Sequence, residues 1–285
     1  VLVVYLASLP PPLRLSFSPC WPVCSQPFAF MAASLIGLVL LYTLRTAEFH
    51  ACVLRLPLLI DCAFIPLMFW LPSNLQETEV FAKKKTTPSV KEICSSLVSG
   101  WRIILTCMGM VAMATVTAQT VTTYAPTFIK SLNLGEHVGF ITLFFVGLSI
   151  LLWLPITAMI ADRVNRRTML IVVTLTGAIT AWPLLSWLAA DPTVFKFVVF
   201  ELWFSFMYAC YSSVQVAAMV ELVPAHARTA GYSFAQAVAA AVLGGLTPAI
   251  CTWLNHTFSS NAMVGVWLGF NAVLSLLAVL TLDHK

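Results

Sequence analysis

The sequence predicts an all-α membrane protein of several spans, and three observations predict it. First, 60% of the 285 residues are hydrophobic and only 9% are charged, whereas a soluble domain of this size needs about a quarter charged to coat its surface. Second, apolar runs of the roughly 17–25 residues needed to span a bilayer recur along the chain. Third, positive charge gathers in every second connection between those runs, the pattern that fixes membrane orientation. The net charge of +4 reads as loop lysines and arginines at a membrane surface and not as a nucleic-acid footprint.

Taken in order, residues 1–27 form an aberrant N-terminal segment. PPPLRLSFSPCWPVCSQP is too rich in proline for a helix and too apolar for an ordinary linker. The chain opens without Met and without a charged region ahead of an apolar one, so no signal peptide is expected. About eight spans follow, near 28–44, 54–72, 101–127, 138–160, 169–189, 194–217, 231–254 and 263–282. The first is short. Pro66, Pro126, Pro155, Pro183 and Pro248 fall inside spans, where neighbouring groups re-satisfy the freed backbone.

A polar segment at 73–100, carrying Lys83, Lys84, Lys85 and Lys91, separates two spans (28–72) from a set of six (101–285). Two connections later come Arg163, Arg166 and Arg167, and two later again His226 and Arg228. The intervening connections hold Lys130 with Glu136, then Asp191 and Lys196, then the uncharged NHTFSSNA. The basic connections, and the terminal Asp283-His284-Lys285, are therefore expected on the cytoplasmic side.

Polar residues within spans are the site candidates, because each is costly in hydrocarbon. Glu201, Ser205, Tyr208, Ser212 and Gln215 lie within about 40° either side of one line on a helix. This stripe reads as a cavity-lining face with Glu201 as a proton carrier, or alternatively as helix–helix hydrogen bonds with Glu201 at the headgroups. Gln119 with Thr123, and Thr120 with Tyr124, are i,i+4 pairs that make one broad polar face. Their amide and hydroxyl groups suit a carboxylate, or equally packing. Gln236 and Thr247 share a face, and Gly244-Gly245 ahead of Thr247-Pro248 permits close helix contact and a bend. Asp61 reads as a proton site or as damage to the sequence.

Other chemistries leave no trace. The eight cysteines include one close pair, Cys20 and Cys24, and show no zinc-like spacing. Histidines 50, 137, 226, 256 and 284 all fall in connections or at the terminus. HExxH, GxSxG, a nucleotide loop and paired catalytic carboxylates do not occur. An enzyme is not expected, and neither is a cofactor.

The turn Asp162-Arg163-Val164-Asn165-Arg166-Arg167 resembles the cytoplasmic loop signature of the major facilitator superfamily, whose second copy joins the eighth and ninth spans. That resemblance implies a gating role for these charges and for Arg228; a purely topological role is the alternative. Asn165 stands where the family usually has Gly, and Asn tolerates a left-handed backbone well. LQETEVF at 75–81, YAPTF at 124–128, ELVPAHARTAGYS at 221–233 and GGLTPAICTWL at 244–254 resemble the metabolite–proton symporter branch, most similar to citrate and tricarballylate proton symporters. The similarity runs from about Arg55 to Leu282 and makes the spans the fifth to twelfth of a major-facilitator-type helical bundle, incomplete at the N-terminus. VVYLA at 3–7 and MAASLIGLVLLY resemble the fourth and fifth spans.

Two departures stand out. Pro72-Ser73-Asn74 replaces a basic pair, and residues 8–27 replace a recognisable loop, as a frameshift would produce. The resemblance implies proton-coupled uptake of citrate or a related di- or tricarboxylate; the expected setting is a bacterial inner membrane, with the chain embedded in the lipid bilayer, a monomer favoured and the oligomeric state left open. The polar faces described above supply the candidate substrate contacts Gln119, Thr123, Tyr124, Tyr208, Ser212, Gln215 and Gln236. No Arg or Lys lies deep in the last six spans, so basic contacts to such an anion would come from the N-terminal half. A degraded carrier remnant, or a carrier for another small metabolite, are the rival readings.

Overall fold

In the computed structural model, residues 17–43, 62, 65, 66, 100–223 and 228–281 are described, and among them every regular element is helical. The elements are α1 (Phe17–Thr43), α2 (Trp101–Gln119), a π-turn (Thr120–Tyr124), α3 (Ala125–Ser131), α4 (Glu136–Ala161), α5 (Arg166–Ala190), α6 (Val194–Leu222), α7 (Arg228–Ala239), a second π-turn (Ala240–Gly244), α8 (Thr247–Phe258) and α9 (Met263–Leu280). Seven stretches are long and apolar enough to cross a membrane: Val23–Thr43, Trp101–Ser131, His137–Ala161, Arg166–Ala190, Val194–Leu222, Ala230–Phe258 and Met263–Leu280. The six expected after residue 100 are all present. The expected span at 54–72, with Asp61, and the lysine-rich segment lie essentially outside the described residues.

The first span corrects the sequence reading. Helix α1 begins at Phe17, not near residue 28, and contains Pro19, Pro22 and Pro27. Each proline removes only its own N–H and bends the helix locally. Abandoning the helix would strand many backbone groups where no water can satisfy them, which costs more.

Both π-turns stand just ahead of a proline. Pro126 follows the first and Pro248 the second. A proline ring collides with the carbonyl four residues back, and an i→i+5 turn moves that carbonyl aside. Nearby hydroxyls bond back to their own helices: Thr122 Oγ1 donates to the Ala118 oxygen at 2.7 Å and Thr247 Oγ1 to the Leu243 oxygen at 2.6 Å.

Helix α1 packs on α4, α4 on α6, α6 on α5 and α2, and α9 on both α5 and α2. The α5–α9 contact is close because Gly265 lies against the backbone of Ala181, where a Cβ would come within 2.8 Å of its carbonyl oxygen. At the α2–α6–α9 junction, Ser275 Oγ donates to the Gly109 oxygen at 2.7 Å and accepts from the Met113 N–H at 3.2 Å. Tyr211 donates to the Met110 oxygen at 2.8 Å. Cys107, Cys210 and Cys251 are buried among apolar neighbours. Exposed Leu, Ile, Trp and Phe side chains cover the outer faces of the bundle, as lipid contact requires.

Candidate functional site

A cavity of about 740 Å³ opens where α1, α2, α6 and α7 meet. Its walls carry four amides, Gln26, Gln119, Gln215 and Gln236, and the hydroxyls of Thr115, Thr122, Thr123, Tyr208, Ser212 and Tyr232. Its volume lies in the range of metabolite sites. No charged side chain is among its described lining residues.

Six of the seven candidate substrate contacts read from the polar faces line this one cavity: Gln119, Thr123, Tyr208, Ser212, Gln215 and Gln236. Thr123 Oγ1 donates to Gln119 Oε1 at 2.5 Å, which leaves the Gln119 NH2 to point elsewhere. Gln215 Nε2 lies 3.3 Å from the Met219 sulfur, a weak acceptor that a ligand oxygen can displace. Gly244 brings α2 and the second π-turn together beside Gln119; a Cβ there would meet Thr115 Cγ2 at 2.4 Å.

Tyr124 is the exception. It is buried, stacked on Phe128 at 5.6 Å, and its hydroxyl accepts from Asn255 Nδ2 at 2.9 Å. Thr120 is buried too and bonds the Val116 oxygen. The single broad face expected from the sequence therefore divides between Gln119/Thr123, toward the cavity, and Thr120/Tyr124, toward the core. Successive helical residues stand 100° apart, so a face holding both pairs is wider than the wall of this cavity.

The stripe on α6 divides as well. Tyr208, Ser212 and Gln215 reach the cavity, whereas Ser205 donates to Ser149 of α4 at 2.9 Å and Glu201 is fully buried. Glu201 is absent from the cavity wall. Four cavity groups escaped the sequence reading. Gln26 lay in the segment set aside for its prolines. Thr115 and Tyr232 stand four residues before Gln119 and Gln236, and Thr122 is next to Thr123, so the i,i+4 and i,i+7 pattern held the signal.

At one end of the bundle the charged turn caps α5. Asn165 has φ −61° and ψ 121°, and its side chain accepts the Arg167 N–H at 3.0 Å. It serves as an N-cap in extended geometry and not as a left-handed residue, because an Asn oxygen satisfies a helix-end donor that Gly could not. Arg166 forms an ion pair with Glu221 of α6, and Arg167 Nη2 donates to the Leu280 carbonyl of α9 at 2.9 Å. Arg163 is exposed and Asp162 half-buried. Only the backbone of Arg228, at the start of α7, is described. Arg102, Arg166, Arg167 and Glu221 line a cleft of about 880 Å³ at this end. At the opposite end Lys196 Nζ holds Asp191, at 2.9 Å to its carbonyl and 3.2 Å to Oδ2.

Comparison with known proteins agrees with this architecture. The profile of the Major Facilitator Superfamily matches residues 23–248. A citrate-proton symporter of Salmonella typhi is 39% identical over 276 residues, covering 96% of this chain and 64% of the relative. A citrate-proton symporter of Klebsiella pneumoniae is 35% identical over 283 residues, 99% of this chain and 64% of the relative. An alpha-ketoglutarate permease of Escherichia coli is 24% identical over 263 residues, 90% of this chain and 59% of the relative. The chain thus spans a little under two thirds of the length of these relatives. No solved structure matches. With a matched profile across most of its length, and relatives above 30% identity over nearly all of it, this chain belongs to the major facilitator superfamily.

Proposed function

We propose that the chain is part of a proton-coupled carrier for citrate or a related di- or tricarboxylate, working by alternating access, and that it is not an enzyme. The observation that carries this is the cavity, in which amides and hydroxyls from four separately anchored elements converge on one space. Gln119, Gln215 and Gln236 each offer two N–H donors, and Ser212, Tyr208 and Thr123 offer hydroxyls, the partners a carboxylate oxygen accepts from. Charge-free walls on this side agree with a site shared between two halves of a carrier, the fixed positive charge standing on the other half. The relatives named as citrate-proton symporters support the same substrate class and the proton coupling.

In this reading residues 101–285 are one six-span half, the stretch from the start of α1 to residue 72 holds the last two spans of the other, and 73–100 is the loop between them. The Asp162–Arg167 end faces the cytoplasm of a bacterial inner membrane, with the C-terminus on that side. Arg166–Glu221 and Arg167–Leu280 are bonds between helices that reposition against each other, and their exchange with water accompanies opening at that face. Asp162, Arg163 and Arg228 belong to the same charged rim.

Proton-driven uptake of labelled citrate in vesicles tests the proposal. The chain is compared with a version extended by the part of the Salmonella typhi relative that it does not cover. Uptake that collapses when the proton gradient is dissipated, and that falls in Gln119→Leu and Gln215→Leu, is the expected result. Absence of citrate uptake in both versions, with uptake of some other metabolite, refutes the substrate class.

A further inference from the structure

Glu201 is a carboxylic acid with no partner. It is fully buried in α6, one turn from the ring cluster of Phe197, Phe200 and Phe204, and neither carboxyl oxygen makes a hydrogen bond. Across the α4–α6 seam, Thr142 is 2% exposed and its hydroxyl is likewise without a partner. Two orphaned polar side chains in one seam are unusual, because buried polar groups are ordinarily bonded.

Helix periodicity puts both on the same seam, where they are not hydrogen-bonded to each other. Ser149 and Ser205 are bonded across the same seam. Thr142 precedes Ser149 by seven residues, which returns it to the same face of α4. Glu201 precedes Ser205 by four. With α4 and α6 side by side and running in the same direction, Thr142 stands about 4–5 Å beyond the level of Glu201, and helical side chains lean toward the N-terminus, that is, toward Thr142.

We propose that Glu201 is the proton-binding group of this carrier, with Thr142 as the partner of its carboxyl, and that α6 links its protonation to the cavity. This rests on the carrier reading above. An ionised carboxylate buried with neither a cation nor a hydrogen-bond donor is strongly disfavoured. Among the described residues no cation pairs with it. On α6 itself Lys196 is held by Asp191, and Tyr208, Cys210, Tyr211 and Glu221 lie further along the helix. His137 of α4 is exposed. Tyr124, beside α3, bonds Asn255. The other titratable groups on the helices packed around α6 are Cys20, Cys24 and Tyr42 of α1, Cys107 of α2, Glu136 of α4 and Tyr232 and Arg228 of α7, while Arg102, Arg166 and Arg167 line the cleft at the far end of α6 and Asp162 sits in the turn ahead of α5.

Release of the proton therefore requires the α4–α6 seam to open to water, and rebinding closes it. Glu201 does not line the cavity, but Tyr208, Ser212 and Gln215 on the same helix do, the nearest about 10 Å along the axis. A shift of α6 that opens the seam moves those three side chains. Proton and substrate then influence each other through one rigid element, reciprocally.

Infrared spectroscopy on the purified chain in lipid decides whether Glu201 binds a labile proton. The expected result is a protonated-carboxyl carbonyl band at neutral pH that shifts in D2O, declines as pH rises, and is lost in Glu201→Gln. If Glu201→Gln fails to fold, a shift of the band in Thr142→Val makes the assignment. Absence of the band overturns the proposal, as does a band unchanged in both variants. So does a band that neither exchanges nor titrates while the fold persists, since that is a static acid. Calorimetric titration of citrate, with the version extended by the part of the Salmonella typhi relative that the chain does not cover, in two buffers of different ionisation enthalpy then reads proton uptake on binding. The wild-type extended protein takes up protons with citrate, and Glu201→Gln loses that uptake; equal uptake by both overturns the coupling. If wild type binds no citrate, the substrate reading fails, while the infrared result still decides the proton site.

Discussion

The contact between Gly244 and Thr115 sets the wall of the cavity and yields a prediction with a sign change. An ideal Cβ on Gly244 lies 2.4 Å from Thr115 Cγ2, about 1 Å inside ordinary contact. Threonine is stiff at χ1, so the methyl cannot swing away freely. Gly244→Ala must therefore push the second π-turn off α2, an overpacking cost of about 1–3 kcal/mol. Alanine regains up to about 1 kcal/mol of helix propensity, which leaves a net loss of up to about 2 kcal/mol. In a Thr115→Ser background the offending methyl is gone. The next atoms, Gln119 Cγ at 3.5 Å and Thr115 Cβ at 3.7 Å, are in ordinary contact, so the same Gly244→Ala change becomes neutral or slightly stabilising. Thermal unfolding of the four proteins in detergent, followed by tryptophan fluorescence, reads the difference at about 2–4 °C per kcal/mol. An equal effect of Gly244→Ala in both backgrounds would show that the methyl contact is not what holds these elements apart.

Other outcomes follow from the same geometry. Replacing Arg166 and Glu221 singly and together should give a coupling of only about 0.2–1 kcal/mol, weakened by salt, since the Glu221 side chain is 55% exposed; a double-mutant cycle on thermal stability measures it. Ser275→Ala should cost about 1–2 kcal/mol and be less than additive with Tyr211→Phe, because both bonds converge on the Gly109–Met110 turn of α2; unfolding curves of the single and double variants check this. Asn165→Ala should cost about 1 kcal/mol through the lost cap, seen as a lower unfolding temperature. Tyr208→Phe should weaken citrate binding about 3–10-fold, and Tyr124→Phe should leave it unchanged, as measured by calorimetric titration.

Much of the architecture was legible in the chain itself. Six apolar runs after residue 100 became six spans with ends close to those read, because hydrocarbon leaves a helix as the only way to satisfy the backbone of a long apolar segment. The i,i+4 spacing of Gln119 with Thr123, and of Tyr208 with Ser212, placed each pair on a common face, since that relation is local and survives any tertiary context. The helical reading failed at residues 17–27, where proline frequency outweighed the absence of any non-helical alternative in lipid.

Which way each polar face points was decided only by packing. Gln119 and Thr120 are neighbours in sequence, yet one lines the cavity and the other bonds its own helix in the core. Glu201 and Tyr208 share a stripe, but α4 covers one and leaves the other on the cavity wall. Asn165 looked like a stand-in for a left-handed glycine and became a cap, because the Arg167 N–H at the start of α5 needed an acceptor. Periodicity along a single helix specifies relative angle and nothing more. The absolute direction of a face is set by its neighbours, and here those neighbours are brought together by glycine contacts and buried hydrogen bonds between residues more than 100 positions apart.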